Sequence, residues 1–388
     1  MKTLKLLRMD KKYAIQFTIL PIFSIMFLAF VYSKVFILNI PFGVVDHDNS
    51  SLSRKIVQQL DTHPGINVKY YTDSEEQLAD AIKVRTVNGG IVIPKGFHQD
   101  ILEKKSPGVS FIIDGTNNIV SANLSGYCST VLSTISSQLQ VGILQGNKML
   151  PYSAKQAIKS FSFEERVLYD SQLGYLSFLG YLIIPLTVQM IFLADFLVPV
   201  LIEERKKFCT FSKKINEKRQ QIQDLITRIL MLIGILIISG FIGLCAAGKF
   251  FGMQLRGSIL MYAVLMLLFL VNLTAMGFFF ASFIDTPIYF TMFLGMINLI
   301  TALTCLITWP AYMIPAGAIR LVKSLWPFIH AVLPLKYLNL KGADLSVLLP
   351  YIKESLLYTV FWLPVGVGLY FVRIRWQTNR YVKLPVEE

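Results

Sequence analysis

Between Ile288 and Thr308 the chain runs for about twenty residues without a charge. A helix of that length crosses the roughly 30 Å hydrocarbon core of a bilayer. Five further runs are of similar length and largely apolar: Ala14–Ser33, Ser177–Ile202, Leu225–Ala247, Ser258–Phe283 and Pro350–Val372, the second, third and last of them carrying one or two charged residues. In lipid each backbone N–H and C=O needs a partner within its own segment, so such runs fold as helices. Composition agrees, since 54% of the 388 residues are hydrophobic, whereas soluble domains sit near about 45–50%. The first run is too long and lacks the small-residue cleavage site of a signal peptide, so it reads as a retained helix, started or kinked near Pro21.

Ile37 to Gln172 differs in kind. It holds no spanning run, and strand-like stretches alternate with helical ones: Phe42–Asp46 then Ser51–Leu60, Val68–Tyr71 then Ser74–Val84, Gly90–Pro94 then Phe97–Lys104, and finally Val109–Asp114. That alternation predicts βαβ units around a small, largely parallel sheet. Ser50 or Ser51 and Ser74 suit helix N-caps. Asn117–Gln145 reads as one long helix, and Phe163–Tyr169 as a returning strand. The expected fold is a polytopic α-helical membrane protein, six transmembrane helices, with an α/β domain inserted between helices 1 and 2. Residues 1–36 form the basic N-terminus and first helix, 37–172 the inserted domain, and 173–388 the remaining helices.

The formal net charge of +13 does not point to nucleic acid, because many of the basic residues flank apolar runs. In short segments, sixteen Lys and Arg lie with the termini and the segment after Ile202, against seven on the other side. The side richer in Lys and Arg is the cytoplasmic one. Both termini are therefore expected in the cytoplasm of a multi-pass cell (inner) membrane protein, with residues 203–222 as a cytoplasmic loop, 373–388 as a cytoplasmic tail and the 37–172 domain outside.

Several motif imitations fail. Gly243-x4-Gly248-Lys249 is followed by Phe250 rather than Ser or Thr and closes an apolar run, so it is no phosphate loop. Asp46-x-Asp48-x-Ser50 lacks the Gly and the Glu of a calcium loop and reads as a turn with a helix cap. Cys128, Cys209, Cys245 and Cys305 are scattered, and His47, His63, His98 and His330 form no metal-ligand pair. No nucleophile, base and orienter assemble, so neither a catalytic nor a metal site is expected.

Polar residues inside the apolar runs are the candidates for function. Asp195 and Arg228 each lie about seven residues, or less, inside the second and third runs, close enough in depth to pair. A carboxylate in a membrane helix costs roughly 2.5–3.5 kcal/mol at the bilayer centre, so it marks either a partner or a functional surface. Asn298, Thr301, Thr304 and Thr308 recur every three or four residues and share one helix face. With Gln189 they are candidates for a translocation pathway, or for hydrogen bonds that hold helices together.

Order and spacing also carry a resemblance. Ile288–Thr308 leads to Trp309-Pro310, Met313-Ile314-Pro315, a short mixed segment, Leu333-Pro334-Leu335-Lys336-Tyr337 and Lys341-Gly342. This resembles the fifth helix and following external loop of type 2 ABC exporter permeases. Gly43-Val44-Val45-Asp46-x-Asp48-x-Ser50-x-x-Ser53-Arg54 and Gly90-Ile91-Val92-Ile93-Pro94-x-Gly96-Phe97 are similar to the external domain of the drug-exporter branch. The resemblance implies a permease subunit that moves an amphipathic or lipophilic drug, peptide or lipid outward. It further implies an external re-entrant segment over 309–349, a second permease copy or paralogue, and a separate ATP-binding cassette subunit carrying the ATP and Mg. Glu203, Glu204, Arg205, Lys206, Lys207 and Thr210 would couple to that subunit. Cys209 stands where the family has Gly, and Lys207 where an acid is usual, so position rather than an intact motif marks the coupling segment. Two other classes are a membrane-anchored receptor or secretion scaffold with an external sensing domain, and an intramembrane enzyme, which the missing catalytic cluster disfavours.

The charge division predicts that an impermeant thiol reagent applied to sealed cells spares Cys209 and labels it only after permeabilisation. Labelling of Cys209 in sealed cells would reverse the assigned orientation.

Overall fold

Short β-branched runs next to capped amphipathic helices build the smaller of two units in this computed structural model. The structure describes residues 11–32, 37–103, 105, 107–146, 169, 175–210 and 215–381. Unit 2 covers Lys34–Gly174, and unit 1 covers Met1–Ser33 with Tyr175–Glu388.

In the smaller unit, β1 (Ile40–Asp46), β2 (Ile66–Tyr71), β3 (Gly89–Ile93) and β4 (Ser110–Ile113) form one sheet in the order β2-β1-β3-β4. β1 is parallel to β2 and β3, and β4 is antiparallel to β3. The period of two along β1 divides its side chains between the faces. Phe42 and Val44 pack under α2 (Ser51–Asp61) and α5 (Asn118–Gly146) with Leu52, Ile56, Leu124 and Cys128. Val45 packs on the other face with Leu78 and Ala81 of α3 (Glu75–Lys83). A short α4 (Phe97–Leu102) follows β3.

The Asp46 segment is a turn and a cap. Asp46 accepts from the Asp48 and Asn49 backbone N–H groups and from the Ser53 hydroxyl, while Ser50 caps α2 by accepting from the Ser53 N–H. Ser74 caps α3 in the same way through the Gln77 N–H. Cys128 is fully buried, and burial pushes its thiol up to about 12. The expected strand at 163–169 lies outside the described residues except for Tyr169.

The larger unit is a helix bundle. α1 (Lys11–Val31) runs through Pro21 instead of starting there. One face of α1 buries Phe17, Ile25 and Ala29, while Ile15, Ile19, Phe23 and Phe27 are exposed. α6 (Tyr175–Met190), a π-helical stretch (Ile191–Leu197) and α7 (Val198–Thr210) succeed one another without a break. Then come α8 (Ile215–Phe251), α9 (Ile259–Phe283), α10 (Pro287–Thr304), α11 (Ala316–Leu325), α12 (Ile329–Lys336) and α13 (Leu345–Tyr381).

Among the described residues five helices are long and apolar enough to cross a membrane: Tyr175–Phe208, Lys218–Phe251, Ile259–Phe283, Pro287–Thr304 and Leu345–Asn379. The apolar part of α1, Ile15–Val31, is shorter. Ala316–Leu325 and Phe328–Lys341 form a pair bent by 103°. Residues 203–222, expected as a loop, are mostly helix: α7 reaches Thr210 and α8 starts at Ile215. Charged and amide side chains keep full helix propensity, so loss of hydrophobicity there does not end either helix.

α9 and α13 pack closely, and Gly366 lies at their crossing. A Cβ there would collide with the Ala275 carbonyl and lie 3.2 Å from the Phe279 nitrogen, both backbone atoms that cannot swing aside. At Gly368 nothing lies within 4 Å. Gly366→Ala is therefore expected to destabilise by about 1–3 kcal/mol through overpacking, whereas Gly368→Ala is neutral or stabilising by up to about 1 kcal/mol. Thermal unfolding of both variants in lipid nanodiscs checks the contrast. Equal melting temperatures would refute the close crossing.

Candidate functional site

At the end of α7 the sequence Glu203-Glu204-Arg205-Lys206-Lys207 continues a membrane helix, so its side chains are distributed around a helix instead of along a loop. Arg205 is wholly buried. Its guanidinium donates to the Ala281 and Ile284 carbonyls at the end of α9 and pairs with Asp285. Asp285 is half exposed and also accepts from Arg373 of α13 at 3.2 Å. The free carbonyls at a helix end attract cations, which explains why a guanidinium settles there. Three helices, α7, α9 and α13, are thus tied at one end through two arginines and one carboxylate.

Glu204 faces the other way, toward α8. It is 6% exposed, accepts from Gln221 at 2.7 Å and Lys207 at 3.1 Å, and lies 3.9 Å from Arg228. Glu203 and Lys207 form an exposed i,i+4 pair, and Lys206 is exposed. The segment therefore divides. Glu204 and Arg205 are ties within the bundle. Glu203, Lys206 and Lys207 remain on the surface, and the Thr210 side chain lies outside the described residues.

The expected Asp195–Arg228 pair is not formed. Arg228 is beside Glu204, and Asp195 is exposed, with no ion pair among the described residues. Asp195 lies nine positions before Glu204, a little under two and a half turns, because the stretch to Leu197 is π-helical and turns less per residue. A helix that turns Glu204 toward α8 turns Asp195 roughly away from it. The two residues match in depth, but the facing direction decides the partner.

Gln189 and Asn298 do meet. The buried Gln189 amide donates to Asn298, and its oxygen accepts from the Trp326 indole at 3.1 Å. Both amides are buried, as is Thr301, whose hydroxyl returns to the Asn298 carbonyl. Thr304 and Thr308 are half-buried and bond to carbonyls of their own helix and its end. Gln189, Asn298 and Thr301 are thus packed inside the protomer, where they hold helices together, while Thr304 and Thr308 are only partly covered. Amides in an apolar interior seek each other because an unmade hydrogen bond costs about 1–3 kcal/mol. The face of α10 left exposed is apolar, with Ile288, Met292, Met296, Leu299 and Leu303.

A second network escaped the sequence reading. Asn272 of α9 donates to the Ser355 hydroxyl at 2.8 Å and accepts from Thr359 of α13. A lone amide within the α9 run is the signal that could have found it. Asp285, in the turn between two apolar runs, carries a similar signal.

The profile of the ABC-2 family transporter proteins matches residues 11–369 of the chain. The chain belongs to that family. It is thus a membrane component of an ABC transporter, and the match spans both the α/β unit and the helix bundle of this ABC-2 permease. No curated protein and no solved structure matches it significantly.

Because Arg205 is wholly buried, removing its carboxylate partner has an outsized effect. Asp285→Asn is expected to cost about 1–3 kcal/mol, below the roughly 3–5 kcal/mol of a fully buried pair because Asp285 is itself half exposed. Glu203→Gln, in an exposed pair, is expected to cost about 0–1 kcal/mol. Thermal unfolding of both variants in nanodiscs checks the order, and the reverse order would refute the tie.

Proposed function

We propose that this ABC-2 permease is the membrane-spanning subunit of an exporter that drives an amphipathic or lipophilic substrate outward, powered by a separate ATP-binding subunit. The observation that carries the reading is the buried Arg205 tie. A push on the exposed end of α7 passes through Arg205 and Asp285 to α9, the start of α10 and α13. A coupling segment needs this combination: an exposed surface to receive force and a buried link to transmit it.

In this reading α1, α6 with α7, α8, α9, α10 and α13 are six membrane passes, with the basic end in the cytoplasm and the α/β unit outside. The bent pair α11 and α12 is the external re-entrant segment. Two permease chains associate, which accounts for two surface features. Asp195, exposed on a single protomer, would otherwise face lipid at the cost given above, and the apolar face of α10 supplies contact area. The pathway lies between the two copies.

The test uses the surface residues, which leave the internal ties intact. Glu203→Lys combined with Lys206→Glu reverses the exposed charges. Transport driven by the co-expressed ATP-binding subunit is expected to fall about tenfold or more, equivalent to about 1.4 kcal/mol of lost coupling, with membrane insertion unchanged. Undiminished transport in that variant would remove the docking role.

A further inference from the structure

Two cavities on the bundle meet at Leu225 and differ completely in chemistry. The first, about 360 Å³, is a groove between α8, α9 and α13. Along α8 it extends from Ile222 to Ile233, about 16 Å at 1.5 Å per residue. Its wall is apolar, and its two hydroxyls are already engaged: Thr274 with the Leu270 carbonyl and Tyr370 with the Leu201 carbonyl. The second, about 320 Å³, is lined by Glu204, Lys207, Gln220, Gln221, Asp224, Leu225 and Arg228.

In that polar cavity the cations are answered and two acceptors are not. Lys207 is held by Glu203 and Glu204, and Arg228 lies by Glu204. Asp224 has neither an ion pair nor a hydrogen bond among the described residues, and it is half-buried. The Gln221 side-chain oxygen is buried and unpartnered, because its amide nitrogen is spent on Glu204. The two lining carboxylates, Glu204 and Asp224, balance the two lining cations, Lys207 and Arg228, and both cations are drawn to Glu204, which leaves Asp224 as the unanswered charge. Lys218 and Arg219 are exposed one to two turns nearer the helix start.

Depth argues for a ligand that arrives through the membrane. Asp224 is the last residue of the polar run Lys218–Asp224, and Leu225 opens the apolar span. The polar cavity therefore lies at headgroup level, with the groove leading from it into the hydrocarbon. An orphan carboxylate and an orphan amide oxygen beside a tail-length apolar groove complement one chemistry: a hydrogen-bond-donating cation on an alkyl chain.

We infer that this composite cavity binds an amphipathic ammonium compound, with the ammonium on Asp224 and Gln221 and the tail between α8, α9 and α13. The inference rests on the export reading for its purpose, since it names the charge class of a substrate loaded from the cytoplasmic leaflet. Binding itself needs neither ATP nor partner, so it is measured on the permease alone and can fail while ATP-driven export stands.

The probe is a photoreactive dodecylammonium, compared with the photoreactive alcohol of equal chain length, on the full-length permease in nanodiscs. Crosslinked peptides are mapped by mass spectrometry. The ammonium probe is expected to label the groove about tenfold more strongly than the alcohol, the contribution of about 1.4 kcal/mol. Asp224→Asn, nearly isosteric, is expected to erase that preference. Ile229→Trp, which fills the groove, is expected to reduce labelling by both probes. Equal labelling by the two probes would make the groove an ordinary lipid contact and overturn the inference. A preference that survives Asp224→Asn would overturn it as well. If Asp224→Asn instead abolishes binding of the ATP-binding subunit while the preference persists, the polar cavity belongs to that subunit.

Discussion

A guanidinium shut away from water at a membrane boundary is tolerable only if nearly every donor finds an acceptor. Arg205 meets most of that demand through its two terminal nitrogens, with two carbonyls that α9 leaves unpaired at its end and the carboxylate in the turn that follows, while its Nε is left without a partner. The demand is mutual. The carbonyls need a donor, the arginine needs acceptors, and Asp285 joins two guanidinium groups, because Arg373 pairs with its other oxygen. Helix ends from three separate parts of the chain are therefore brought to one point by hydrogen-bond satisfaction, where apolar packing alone would let them slide.

Deeper in the bundle the same rule acts with neutral groups. Lipid and apolar side chains offer similar surroundings, so apolar contact gives little preference for one neighbouring helix over another. The Gln189, Asn298 and Trp326 cluster and the Asn272, Ser355 and Thr359 cluster supply that preference. Each joins helices distant in sequence, and each leaves its amides engaged. Such contacts act as registration marks, placing α10 against α6 and α13 against α9.

Much of the fold was legible because it rests on one-dimensional signals. Apolar run length marked every long membrane helix, and alternation marked the strands of the sheet. The Ser50 and Ser74 caps and the Asp46 turn depend on neighbours within a few residues, so local sequence sufficed. The site was less legible because its partnerships are set by rotation about helix axes. Depth along a helix can be counted, and on that count Asp195 and Arg228 matched, but Glu204 holds the facing position. Likewise, Glu204 and Arg205 are adjacent and of opposite charge, which reads as one surface patch. On a helix adjacent residues diverge by about 100°, and here they point to different neighbours. Asn298, Thr301 and Thr304 lie on α10, whereas Thr308, expected on the same helix face, falls beyond the helix end at Thr304, and periodicity does not say whether a face looks inward or outward.

The π-helical stretch at Ile191–Leu197 interrupts α geometry midway between the Gln189 cluster and the Arg205 tie. Its hydrogen bonds reach five residues instead of four, so the helix there holds one residue more than an α-helix of equal length needs. That surplus behaves like slack in a rope fixed at both ends. It can be taken up on either side without freeing either anchor, and each step would turn the segment it crosses relative to its neighbours. Asp195 is seated within the wide turn, so such a step would change its heading.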